Sequence, residues 1–277
     1  MFSIVIFSKD RALQLDSLLR SIKDNINISF KGIYILFYTS NNIFTDGYKI
    51  LMDRNYFNNI YWIKERHFKD DIYEIIHGLT DDGLIMFVVD DDIFFRPFKD
   101  KRLLEHLSNR HLFISLRLSR KYNNLQNPRI PKFIHESKYL EWKWYTIKNK
   151  MKKYNHWHYP FSIDGNIFNT TNIKKILTMI EFKAPNSFES AMNSKKNHLY
   201  FLLRRKGLAP LNPVVFNNPL NIVQTEGETW HKDYSIEILN QNYLDGKIID
   251  NNNIYKFRPD DIHCFCPISF INYNAVQ

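Results

Sequence analysis

The first third of the chain alternates short apolar runs with amphipathic stretches. Ser3 to Phe7 is rich in Ile, Val and Phe and breaks into the polar Ser8-Lys9-Asp10-Arg11, the pattern of a buried strand ending in a turn. From Ala12 onward Leu15, Leu18, Leu19 and Ile22 recur at helical spacing, with Gln14, Asp16, Arg20 and Lys23 on the other face. Gly32 to Tyr38 reads as a second strand, Gly47 to Met52 as a short helix and Tyr61 to Ile63 as a third strand. Asp70 to His77 follows as a helix and Leu84 to Val89 as a fourth strand. Apolar strands alternating with helices predict an α/β fold, a mixed and mainly parallel sheet with helices on both faces.

Further on, Arg102 to Leu107 reads as a helix and His111 to Leu118 as a strand. Residues 119–158 then mix many Lys and Arg with Tyr122, Tyr139, Trp142, Trp144 and Tyr145. Such a basic aromatic insertion suits a cover over a cleft, a membrane-surface element or a solvated excursion. Tyr159 to Asn169 is strand-like around Asp164-Gly165-Asn166, and Thr171 starts a helix through Ile176, Leu177 and Ile180. Phe188 to Met192 and Leu199 to Arg204 read as helical, and Val214 to Val223 as extended, interrupted by Pro219. Residues 232–277 are Asn-rich and unassigned. With 8 Gly and 10 Pro scattered over 277 residues, no linker or repeat divides the chain, which predicts a single domain over 1–277.

Asp90, Asp91 and Asp92 interrupt the apolar pattern between Leu84-Ile85-Met86-Phe87-Val88-Val89 and Ile93-Phe94-Phe95. Adjacent carboxylates repel, and a flanking buried strand withholds the water that screens them, so they must protonate, reach solvent or share a cation. A divalent metal meets the last need. On a continuing strand Asp90 and Asp92 face one way and Asp91 the other, giving a pair of oxygen donors for one hard ion. The alternative is a solvated acidic turn capping the strand.

Composition narrows the choice of partner. Lys and Arg number 38 against 29 Asp and Glu, which favours an anionic partner such as a sugar nucleotide, a phospholipid surface or a nucleic acid. The start, Met1 to Phe7 followed by Lys9, Asp10 and Arg11, is too short for a signal-peptide core, and no apolar stretch has membrane-spanning length. Cys264 and Cys266 are too close for an easy disulfide and, with His263, lack further zinc ligands nearby. They read as reduced thiols of a cytoplasmic protein, with association to the inner face of the membrane as a further expectation.

Several short motifs in order resemble nucleotide-sugar glycosyltransferases of the GT-A (Rossmann-like) fold, close to the family-2 group. Phe2 to Arg11 is similar to that group's opening strand and nucleotide-facing turn, and Phe87-Val88-Val89-Asp90-Asp91-Asp92 to the strand that delivers its Asp-x-Asp (DXD) motif. The resemblance implies a manganese or magnesium ion on Asp92 and Asp90, with Asp91 as the register-dependent alternative, bridging the donor diphosphate. It implies donor contacts from Ser8, Lys9, Arg11, Thr39 and the ribose-facing Asp90 or Asp91. Tyr159 to Phe168 resembles the segment lining the sugar and acceptor side, where Asp164 meets hydroxyls. Pro185 to Ser190 looks like the acidic motif that supplies a general base, here Glu189, with Asp164 as the other candidate because the usual Glu-Asp pair is Glu189-Ser190. His231, next to Trp230, resembles a late histidine that serves as an extra metal ligand.

The expected activity is metal-assisted, inverting sugar transfer from a nucleoside diphosphate sugar to a glycan or lipid-linked acceptor in polysaccharide assembly, without nucleic acid. Two other readings compete. One is a non-catalytic nucleic-acid or anionic-membrane binder using Trp142, Trp144 or Tyr145. The other is a metal-dependent nucleotidyltransferase or phosphohydrolase.

Overall fold

β1 (Phe2–Lys9) is apolar on both faces because a helical layer covers each side of it. Ile4 and Ile6 join the cluster under α1 (Ala12–Asn25), while Val5 and Phe7 point to the opposite cluster, the period-two alternation of a strand buried on both faces. The computed structural model describes residues 1–107, 110–122, 130–144, 156–196, 206–221 and 234–275. β2 (Phe30–Tyr38), α2 (Asn42–Asp53), β3 (Ile60–Lys64), α3 (Phe68–Gly78) and β4 (Leu84–Val89) follow in the predicted alternation. All four strands run parallel, in the order β3-β2-β1-β4.

A short ribbon leaves the sheet after β4, as β5 (Asp92–Phe94), followed by α4 (Lys101–Glu105). The sheet continues with β6 (His111–Ser115), β7 (Phe133–His135), β8 (Tyr139–Trp142) and β9 (Asn166–Asn169). After α5 (Thr170–Leu177) and α6 (Pro185–Lys195), β10 (Lys206–Pro210) completes a nine-stranded order β3-β2-β1-β4-β9-β6-β10-β8-β7. β9 is antiparallel to both β4 and β6, so the sheet is mixed but mainly parallel, with helices on both faces as expected. β11 (Val215–Asn217) pairs antiparallel with β5 and places Asn217 opposite Asp92.

Gly165 makes the crossing from β4 to β6 possible. Its φ is +77°, its N–H donates to Phe87 O (2.8 Å) and its carbonyl accepts from Leu116 N (3.1 Å). A Cβ there would stand 2.5 Å from Val215 Cγ1. Gly165→Ala is expected to destabilise the protein by about 1–3 kcal/mol, seen as a lower urea midpoint at unchanged slope.

The basic aromatic segment corrects the expectation of an exposed binding face. β7 and β8 extend the sheet edge, and Trp142, Trp144 and Trp157 are each 0% exposed. Trp142 Nε1 donates to Trp157 O at 3.0 Å, and the two rings meet edge to face. Indoles committed to the core cannot stack on bases or enter a bilayer, which takes Trp142 and Trp144 out of the binder reading. Tyr145 and the predicted Leu199 to Arg204 helix lie outside the described residues. Among the described residues no helix is long and apolar enough to cross a membrane.

The unassigned tail is ordered over 234–275. α7 (Ile236–Leu244), β12 (Lys247–Ile249) and α8 (Asn251–Lys256) pack over the side of α1 expected to face solvent, and β13 (Phe270–Asn272) pairs with β12. Asp16 is consequently buried, accepting from Arg20 (2.8 Å), Arg54 (2.6 Å), Tyr56 (2.8 Å) and Tyr243 (3.1 Å).

Candidate active site

The site gathers at the C-terminal ends of β1 and β4, where open α/β sheets place their ligands. The turn after β1 is tightly held. Asp10 adopts φ +56°, donates its N–H to Tyr38 O (3.1 Å) and accepts from Ser40 N (2.7 Å), which couples it to the turn after β2. Thr39 in that turn shares a hydrogen bond with Thr45 (2.9 Å), and Lys9 lies over the Tyr38 ring. A non-glycine residue in the left-handed region costs conformational energy that its surroundings must offset.

Asp90 and Asp91 form a turn between β4 and β5, and this overturns the predicted strand alternation. Instead of facing opposite ways, both carboxylates converge on Arg11 Nη1, at 3.0 Å and 2.9 Å. The physical reason is the chain reversal: the two residues leave the strand, and a buried guanidinium gathers them. Asp90 also accepts from Ser8 Oγ (2.9 Å) and Lys9 N (3.1 Å). Arg11 donates further to the Asn221 side chain (2.8 Å) and to the Asn221 carbonyl. Burial works against its charge, but Asp90 and Asp91 outweigh this and raise its pKa. Arg11 is thus a buried structural cation rather than a solvated charge at a helix start.

Asp92 is the acid without a counter-charge. It is 0% exposed and accepts from Val89 N (3.0 Å) and Asn217 Nδ2 (3.2 Å), an amide that also donates to Asp91 (2.6 Å). Among the described residues no Lys, Arg or His forms an ion pair with it. Burial, then Asp164 and Asp91, raise its proton affinity well above that of an ordinary carboxylate.

Asp164 and Glu189 stand on the β9 and α6 side. Arg117 pairs with Asp164 at 2.9 Å, and Ser162 Oγ donates to the same oxygen at 3.3 Å. Glu189 accepts the Ile163 N–H (3.2 Å), and burial together with the Asp164 charge pushes its pKa up to about 7. The structure therefore links Asp92, Asp164 and Glu189 in one electrostatic cluster, which includes both candidate bases.

Sequence reasoning passed over His263, Asn217, Asn221 and Arg117. The segment after α8 runs back along β11: Asn217 N donates to Ile262 O (2.8 Å) and Cys264 N to Asn217 O (3.0 Å). This brings His263 Nδ1 to 3.3 Å from Asn217 Oδ1 and Nε2 to 3.9 Å from Asp164. The signal was weak: His263 was weighed only with Cys264 and Cys266 as a zinc site, not as a partner of an acid as distant along the chain as Asp164. The Asn217-Asn218 pair, set against the apolar Val214-Val215-Phe216, was the readable hint. His231 lies outside the described residues, as does Trp230.

Among the described residues no three His, Cys, Asp or Glu side chains converge into a closed metal cage. The donor set instead suits a hard divalent ion held by one or two carboxylates and completed by substrate oxygens. The observation that favours such an ion is the buried Asp92 carboxyl, which among the described residues has no ion-pair partner.

No family model matches the chain. It is 25% identical over 288 residues to the bifunctional glycosyltransferase pgtA of Dictyostelium discoideum, a match covering 91% of this chain and 36% of that protein. The chain thus spans about a third of the length of that curated relative. Among solved structures, S. aureus TarS is 13% identical, with 78% of this chain and 36% of TarS covered at a TM-score of 0.49. TarS 1–349 in complex with UDP-GlcNAc is 13% identical, with 83% and 60% covered at 0.46. The 4-diphosphocytidyl-2C-methyl-D-erythritol synthase of Anaerococcus prevotii is 14% identical, with 88% and 96% covered at 0.40. Through its ordered motifs, its mixed, mainly parallel sheet and its sequence match to pgtA, the chain resembles glycosyltransferases of the GT-A type.

Proposed function

We propose that this chain transfers a sugar from a nucleoside diphosphate sugar to a hydroxyl of a glycan or lipid-linked acceptor, with inversion and with help from a divalent metal. The observation that carries this reading is the juxtaposition of an uncompensated buried acid, Asp92, with a carboxyl whose pKa is pushed up to about 7, Glu189, through the shared neighbour Asp164. The relation to a protein named as a glycosyltransferase supports it.

Asp92, with Asp91 beside it, would hold manganese or magnesium, and His263 is a further candidate ligand alongside His231. Such an ion supplies positive charge where a departing nucleoside diphosphate accumulates negative charge. Asp90 accepts from three groups, Ser8, Lys9 N and Arg11, and Asp91 from two, Arg11 and Asn217, so Asp91 keeps the larger share of lone pairs for a metal. Ser8, Lys9 and Thr39, at the C-terminal ends of β1 and β2, would face the nucleotide. Glu189 takes the proton of the acceptor hydroxyl as that oxygen attacks the anomeric carbon from the face opposite the leaving group. Arg117 holds Asp164 in place beside it through their 2.9 Å ion pair.

The test is calorimetric titration with UDP, GDP, CDP and dTDP sugars, with and without manganese. Wild-type protein is expected to bind one of them in a manganese-dependent manner, and Asp92→Ala to lose that dependence while remaining folded. Equal donor affinity in wild type and Asp92→Ala would reject the metal assignment.

A further inference from the structure

The segment that follows α8 is stitched to the strand beside the acidic turn. β11 pairs with β5 along one edge, setting Asn217 opposite Asp92, and on its other edge Asn217 forms a parallel bridge with His263. The Asn218 side chain adds a second link to the same segment, donating Nδ2 to Cys266 O (3.0 Å) and accepting from Cys266 N (2.9 Å). Asn218 N donates in the other direction, to Asp91 O (2.8 Å). The backbone at 217–218 is thus fixed between the acids on one side and residues 262–266 on the other.

One side chain in this seam faces both ways. The Asn217 amide nitrogen carries two hydrogens, and both go to acids, to Asp91 Oδ1 at 2.6 Å and to Asp92 Oδ1 at 3.2 Å. Its oxygen is therefore turned away from them, towards His263 Nδ1 at 3.3 Å. An amide oxygen only accepts, so Nδ1 carries the hydrogen of that contact and the tautomer is set. Turning the amide over would press its oxygen against two carboxylates, three acceptors with no donor between them. A buried site penalises that arrangement strongly. The imidazole N–H opposes it further, because it gives the oxygen a partner only in the orientation seen. Asp92 depends on this amide most, since its other donor among the described residues is Val89 N.

We infer that His263 is a positioning residue: its Nδ1–H fixes the Asn217 amide, and through that amide the arrangement of the Asp91 and Asp92 carboxyls. The role rests on the transferase reading for its use, since an ion held by those acids requires their oxygens in one geometry. It belongs to Nδ1 and is separate from any bond that Nε2, 3.9 Å from Asp164, makes. The last part of the chain thereby acts on the acidic turn through a single side chain.

The experiment reads the tautomer and the metal separately. Imidazole nitrogen NMR spectra of the metal-free full chain, with His263 assigned by the signal missing from His263→Asn, are expected to show Nδ1–H and a bare Nε2. The opposite tautomer overturns the inference. Manganese alone is then titrated into wild type, His263→Asn and His263→Gln. Asparagine carries its NH2 where Nδ1 stands and can still meet Asn217 Oδ1, whereas glutamine carries it one bond farther, near Nε2. His263→Asn is expected to keep manganese affinity within about threefold of wild type, and His263→Gln to lose about tenfold or more. A loss in His263→Asn as large as in His263→Gln overturns the positioning role and makes Nε2 a direct ligand. No loss in either variant overturns it as well. Wild-type protein with the Nδ1–H tautomer but no manganese affinity sinks the metal-assisted reading and leaves the amide clamp standing, so the two failures are distinguishable.

Discussion

Glu189→Gln is expected to lower kcat for sugar transfer by about 10²–10⁴-fold, the usual worth of a positioned general base, with donor affinity unchanged. The amide keeps the shape and still accepts the Ile163 N–H, but it takes no proton. Single-turnover transfer and calorimetric donor titration on the same preparation separate the two effects. The wild-type profile should carry an acid limb with a midpoint near 7, since Glu189 must be ionised to act and its pKa is about 7. Stability runs the other way. The folded carboxyl holds its proton more tightly than the unfolded one, so the neutral form is favoured by folding and stability falls as pH rises from about 4.5 towards 7. Glu189→Gln should flatten that slope. A kcat within a factor of about three of wild type would move the base to Asp164 or to another acid.

Arg11→Met is expected to destabilise the fold by about 3–5 kcal/mol near neutral pH, because it strands two buried carboxylates that now share one guanidinium. Methionine preserves most of the side-chain volume, so the loss reports charge rather than packing. The sign with pH discriminates. With Arg11 gone, Asp90 loses the charge that opposes its burial and binds its proton more tightly in the folded state, so the deficit should shrink as pH falls into the carboxylate range and widen above it. Urea unfolding at pH 5 and at pH 8 measures this directly. A deficit below about 1 kcal/mol, independent of pH, would mean that Arg11 is no more than a surface charge.

The parallel half of the sheet was legible because its information is local. Ser3 to Phe7, Gly32 to Tyr38 and Leu84 to Val89 are apolar runs bounded by polar turns, and β1, β2 and β4 follow them to within a few residues. The predicted strand over Tyr159 to Asn169 shrank to β9, since Gly165 with its positive φ breaks the extended path before Asn166. Of the predicted Val214 to Val223, the described part up to Asn221 holds a strand only over β11, whose length matches the three residues of β5 it pairs with. Asp16 and the tryptophans of β8 and its neighbours were misplaced because polarity and aromaticity do not say what will pack over them.

Taken alone, the sequence determined that an acidic triplet ends a buried strand, that the strands around it alternate with helices, and that Glu189 sits in the first turns of a helix. Hydrophobic periodicity is a property of neighbouring residues, so it survives without a fold. Only the tertiary structure decided that Asp90 and Asp91 share Arg11, that Asp92 is left uncompensated, and that His263 and Asn217 arrive at the same point. Those facts depend on charges distant along the chain meeting in a medium of low polarity, where a pairing or its lack is worth several kcal/mol. No local pattern records which of them meet.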